Sequence, residues 1–176
     1  MKVLAISSSP RKGGNSDVLC DEFLKGAAEN GHEVQKIRLA EKKIAPCLAC
    51  YGCTDSHVCV RRDDMAEVLE ALKAADVIVL ASPVYFYGIS AQLKAVIDRL
   101  HTPMRNSFPI KKLALILVGA ATLPEMFDAI KVQYKLALNF FGLEDAGTVL
   151  VRGAREKGDV KNTDGLKNAY NLGSSM

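Results

Sequence analysis

A chain of 176 residues with 49% hydrophobic and 24% charged residues has the composition of an ordinary soluble globular protein, with enough apolar material for one core. Its formal net charge of +3 comes without a Lys/Arg block, which argues against a nucleic-acid partner. No run approaches the ~20 apolar residues of a membrane helix, and the opening Met1–Ile6 stretch is too short for a signal peptide, so a cytoplasmic protein with reduced thiols is expected.

Apolar and amphipathic runs alternate along the chain. Lys2–Ile6 predicts a short buried strand. Ser16 to about Asn30 has helical spacing (Val18, Leu19, Phe23, Leu24, Ala27) and stops at Gly31. Cys20 falls on that helix as a small core thiol. Glu33–Leu39 alternates like a strand. Ile44–Arg62 reads as a long loop, because Pro46 and Gly52 oppose regular structure. Asp63 and Asp64 suit the start of a helix whose inner face is Met65, Val68, Leu69 and Leu72. Asp76–Ala81 is an apolar strand and Ser82–Gly88 a loop; Ser90 to about Leu100 is a helix. Lys112–Gly119 is a strand, Pro124 to about Phe141 a helix closed by Gly142, Asp145–Val151 a last strand and Thr163–Leu172 a last helix.

Five strand–helix repeats with fully apolar strands predict a parallel sheet covered on both faces. The expected architecture is a flavodoxin-like, doubly wound, three-layer α/β/α fold, five strands in the order 2-1-3-4-5. It forms one domain over residues 1–176, with a cysteine-rich insertion at 44–62. Ligands of such sheets bind outside the carboxyl ends of the strands, at the switch point.

At the end of the first strand, Ser7 through Ser16 combines hydroxyls (Ser9, Ser16), cations (Arg11, Lys12), two glycines and Asn15 just before a helix. A phosphate monoester is bound by such donors together with the helix N-terminus. Neither a Walker loop nor a G-x-G-x-x-G turn is present. At the end of the third strand, Pro83-Val84-Tyr85-Phe86-Tyr87-Gly88 supplies aromatics that can flank a flat ring, with at least one of the three expected in the core. At the end of the fourth, Gly119 and Ala120 are small enough for a ring to approach the backbone. Together the three strand ends describe FMN.

Four of the five cysteines stand in one window, Cys47, Cys50, Cys53 and Cys59, spaced C-x2-C-x2-C-x5-C. Compact thiolate runs of this kind hold iron–sulfur clusters. Zinc, which prefers two separated C-x2-C pairs, and a redox-active or vestigial thiol loop remain alternatives. Long ordered loops in compact domains are usually functional.

The 7–16 motif resembles the phosphate loop of the NADPH-dependent FMN reductase family, as do Ser82-Pro83-Val84-Tyr85 and the Ser90–Arg99 segment. The Ile44–Met65 segment is similar to that family's iron–sulfur flavoprotein branch. The resemblance implies bound FMN and, often, a homodimer or homotetramer with the flavin near a subunit interface. It implies phosphate contacts from Ser9, Arg11, Asn15 and Ser16, flavin contacts from Pro83 to Gly88, and a [4Fe-4S] cluster on Cys47, Cys50, Cys53 and Cys59. The leading functional expectation is electron transfer between the cluster and FMN, exchanged with a small-molecule or protein partner. The alternatives are a cluster-free NAD(P)H-dependent flavin or quinone reductase and a non-enzymatic thiol-sensing module. No general acid–base pair stands out: His57 reads as a solvated loop residue.

Overall fold

The apolar runs become the strands of one sheet in a computed structural model that describes residues 1–176. In chain order they are β1 (Lys2–Ser7), β2 (Glu33–Arg38), β3 (Val77–Tyr85), β4 (Gly88–Ile89), β5 (Lys112–Val118) and β6 (Glu144–Val151). Five pair in parallel in the order β2-β1-β3-β5-β6, the flavodoxin-like order expected. The sixth, β4, is a two-residue antiparallel partner of β3. The helices are α1 (Asn15–Glu29), α2 (Cys53–Ser56), α3 (Met65–Ala74), α4 (Ala91–Arg99), α5 (Asp128–Phe141) and α6 (Gly165–Ser174).

Side chains of successive strand residues point to opposite faces, so an apolar strand feeds two cores. In β1, Leu4 and Ile6 join a core with residues of α3, α4 and α5. Val3 and Ala5 join the other, with Leu19, Cys20 and Phe23 of α1 and Ala169 of α6. Burial pushes the Cys20 thiol up to about 12, so it stays protonated and inert. No helix is long and apolar enough to cross a membrane.

One segment differs from the expectation. The third strand continues past Ala81 to Tyr85, pairing Ser82 with Leu117 and Pro83 with Val118. Proline cannot donate to a ladder and usually marks a strand's end or edge; Pro83 lies beyond the last β1 pairing, Ser7 with Ala81. The chain then reverses through Phe86 and Tyr87 into β4. The C-terminal segment closes the α1 side: Gly26 of α1 and Gly173 of α6 let the two helix backbones approach closely.

Candidate FMN site and cysteine loop

The sheet places the ends of β1, β3 and β5 side by side, and a cleft opens there. Ser9, Arg11, Gly14, Asn15 and Ser16 form one wall, Pro83, Val84 and Tyr85 a second, and Val118, Ala120, Ala154 and Arg155 a third. The α1 side is a cradle for an anion. Asn15, Ser16 and Asp17 open the helix, so their N–H groups have no carbonyl one turn back. The Ser16 hydroxyl is buried without any partner. A buried polar atom left unpaired costs about 1–3 kcal/mol, so a ligand oxygen at this point fits. A Cβ on Gly14 would stand 2.6 Å from the Ser9 hydroxyl. The cradle therefore suits the phosphate of FMN.

The loop's shape rests on Asp17, which sequence reading passed over. Its buried carboxylate accepts from the Ser7 hydroxyl at 2.6 Å and the Gly13 N–H at 2.9 Å. Lys36 Nζ lies 2.8 Å away and Arg38 Nε 3.3 Å away, both from β2. Burial alone would favour the neutral acid, but the bonds from Lys36, Ser7 and Gly13 outweigh it and hold Asp17 below the usual carboxylate range. A depressed folded pKa stabilises the fold above the unfolded value and loses that contribution as pH falls through the folded one. Thermal midpoints should therefore fall more steeply in wild type than in Asp17→Asn below about pH 4. Parallel slopes would show that Asp17 carries none of the acid sensitivity.

Asn15 lines the cleft while its side chain is taken up by the segment after β6. Its amide nitrogen donates to the carbonyls of Ala154 at 3.2 Å and Glu156 at 2.8 Å, and its oxygen accepts from the Gly158 N–H at 2.9 Å. Asn15 thus latches the segment after β6 against the cradle. Arg11 adds a bond to the Arg155 carbonyl at 3.4 Å. Lys12 is exposed, and Lys157 reaches over Gly13. The sequence signal for this third wall was the basic run Arg155-Glu156-Lys157 between Gly153 and Gly158.

The aromatic turn follows directly on the second wall of the cleft. Tyr85 pairs with Gly88, leaving Phe86 and Tyr87 as a two-residue hairpin loop at φ +48° and +60°. Such loops favour Asn-Gly, because both positions need a left-handed conformation that bulky side chains resist. Strain of this kind collects at functional sites. None of the three aromatics is in the core, contrary to expectation: Phe86 is 103% exposed, and Tyr85 and Tyr87 are also exposed. The hairpin holds them outward, where a flat ring can lie. Ala120 lines the cleft, and Gly119 is buried behind it, with Met126 in the space a side chain would take.

The cysteine loop leaves the sheet between β2 and α3. Its neck is stapled: Asp64 accepts from the Lys43 N–H at 2.6 Å and Asp63 from the Ala45 N–H at 3.0 Å. Three non-glycine residues of the loop, Ala49, Tyr51 and His57, are left-handed. All four thiols are free. Cys47 and Cys53 line one cavity of about 690 Å3, together with Tyr51, His101, Arg105 and Phe140. Cys59 accepts a bond from Arg99 Nη2 at 3.3 Å. The donor chemistry fits a cluster, four thiols on one segment of chain, although no three His, Cys, Asp or Glu side chains stand close enough to form a metal shell in this conformation.

A switch-point phosphate cradle facing an aromatic turn defines a flavodoxin-like, mononucleotide-binding protein. The model of the NADPH-dependent FMN reductase family matches residues 1–152. An iron-sulfur flavoprotein of Methanocaldococcus jannaschii is 37% identical over 188 aligned positions, covering 100% of this chain and 95% of that protein. An iron-sulfur flavoprotein of Methanosarcina thermophila is 42% identical over 121 positions, 69% of this chain and 61% of that one. Among solved structures, the NAD(P)H:quinone oxidoreductase from Methanothermobacter marburgensis superposes with a TM-score of 0.77 at 18% identity, over 99% of this chain and 96% of that one, a likeness of fold. The chain belongs to the NADPH-dependent FMN reductase family. It is thus an FMN-dependent oxidoreductase rather than a non-enzymatic thiol sensor.

Proposed function

We propose that the chain is an iron–sulfur flavoprotein in which Cys47, Cys50, Cys53 and Cys59 hold a [4Fe-4S] cluster beside an FMN site. The observation that carries this reading is the concentration of four free thiols on the one long loop of the fold. The names of the two archaeal relatives support it. When bound, FMN and the cluster supply the exchange between two-electron and one-electron chemistry.

The chain's own residues do the rest. The first turn of α1, the Ser9 and Ser16 hydroxyls and the Arg11 charge hold the phosphate. The Phe86–Tyr87 turn flanks the ring, and the 154–158 segment, latched by Asn15, walls the phosphate end. Donor and acceptor are a small molecule or a second redox protein.

Anaerobically purified protein should contain about four iron and four sulfide per FMN. Cys50→Ala should lose the iron and sulfide and keep the FMN, because Cys50 lies on the insertion and not on the flavin cleft. Full iron content in that variant would remove Cys50 from the ligand set.

A second reading is favoured by the spread of the thiols: a cluster-free NAD(P)H-dependent flavin or quinone reductase. The exposed aromatic turn leaves the flavin side open, and a reduced nicotinamide would pass hydride there. Iron-free protein with full FMN that turns over NAD(P)H with a quinone selects this reading.

A further inference from the structure

Arg99, the last residue of α4, is a cation whose side chain is only 3% exposed. Its Nη1 donates to both oxygens of Asp63, at 2.7 and 2.6 Å, and to the Ala45 carbonyl at 3.3 Å. Its other arm, Nη2, donates to the Cys59 sulfur at 3.3 Å. One guanidinium thus ties together the start of the cysteine loop, its end and its fourth thiol. Asp63 alone would have sufficed to staple the neck, since it already accepts from the Ala45 and Met65 N–H groups. The arm on Cys59 adds nothing to that staple. It does place an N–H donor on one sulfur, from a guanidinium whose charge Asp63 balances.

A second observation points the same way. Arg99 Nε and Arg61 Nε are buried without partners. One belongs to the side chain that bonds Cys59 and the other lies two residues along the chain from Cys59, and both are donors open to an anion. A cluster with four thiolates is a multiply charged anion, and hydrogen bonds to its sulfurs are a principal control on its potential. The far end of α4 is fixed as well: the Ser90 N–H donates to the Ser82 hydroxyl at 2.9 Å, beside Pro83 of the flavin cleft.

We infer that Arg99 is a positioning residue for the cluster, holding Cys59 in place and raising the cluster's reduction potential through its N–H donor. The inference rests on the iron–sulfur reading proposed above. The added electron makes the cluster more negative, and an N–H donor on one of its sulfurs stabilises that form.

The test compares anaerobically purified wild type with Arg99→Lys and with the double variant Asp63→Asn/Arg99→Met. The double variant removes the donor to Cys59 without stranding a buried carboxylate. Retained FMN reports an intact fold. In the double variant the cluster potential, followed by electron paramagnetic resonance, should move to more negative values, and iron should be lost to a chelator about tenfold faster. Arg99→Lys keeps the ion pair with Asp63 but not the second arm, so its potential should shift and its iron loss should quicken as in the double variant. An unchanged potential and loss rate in an FMN-replete double variant overturns the role of Arg99 alone. Wild-type protein that holds FMN and no iron overturns the iron–sulfur reading and this inference with it.

Discussion

Gly173→Val should lower stability by about 3 kcal/mol, the upper end of what overpacking costs. A glycine inside a helix is normally a weakness, and a residue with a side chain there would gain up to about 1 kcal/mol in helix propensity. The sign reverses here because of what Gly173 touches. A Cβ at that position would lie 1.9 Å from the Phe23 carbonyl oxygen and 2.8 Å from its carbon, and one on Gly26 would lie 2.2 Å from the Tyr170 oxygen. These are backbone atoms of the facing helix, so no rotamer change relieves the clash. The helices must separate, and α6 then uncovers Phe23, Leu19 and Ala169 of the core. For a chain of this size the loss corresponds to a thermal midpoint lower by roughly 10 °C. Circular dichroism melts of Gly173→Val and Gly173→Ala, the alanine falling between valine and wild type, are the check. An alanine variant as stable as wild type would mean the helices have slack that the packing does not show.

The last helix was legible in the sequence, but this crossing was not. Glycine at 26 and 173 looks, in sequence, like weakness in two helices; only their apposition shows that each is required by the other. The parallel, doubly covered sheet, by contrast, follows from the composition of the strands. Runs such as Val77-Ile78-Val79-Leu80 are apolar throughout, which only a doubly covered parallel sheet needs. The phosphate loop was readable because its donors are contiguous, Ser9 through Ser16. Asn15 was read for its polar side chain, and its partners 139 to 143 residues away could not be seen.

The aromatic turn was misread for a related reason. Large aromatics usually bury, so one of the three was assigned to the core. Tyr85-Gly88 pairing instead confines Phe86 and Tyr87 to a hairpin loop, and the turn geometry prevails over the pull of burial. Asp63 and Arg99 were 36 residues apart and separately plausible as a helix-start acid and a helix-end cation. Their union under Cys59 is a property of the fold.

The other large effect should come from Gly14→Val, which is expected to weaken FMN binding on the order of a hundredfold while leaving riboflavin binding near wild type. Gly14 stands at φ −69°, ψ 167°, a conformation valine adopts freely, so backbone strain is not the cause. The cause is steric. An added Cβ would sit 2.6 Å from the Ser9 hydroxyl, 3.0 Å from the Arg11 carbonyl and 3.2 Å from the Arg11 Cβ. Those atoms are already bound to one another: the Ser9 hydroxyl donates to the Arg11 carbonyl at 3.1 Å and accepts from its N–H at 3.3 Å. The turn has to open, and the Ser9 wall moves away from the Ser16 hydroxyl and the first N–H groups of α1. Hydrogen bonds to a charged group contribute about 1.5–3 kcal/mol each, so losing two costs about 3 kcal/mol or more. Riboflavin lacks the phosphate and makes none of these bonds. Fluorescence titration of the apoprotein with both ligands separates the cases. A loss confined to FMN locates the phosphate in this cradle. Equal losses for the two would mean that valine distorts the ring site instead, and FMN affinity equal to wild type would place the phosphate elsewhere.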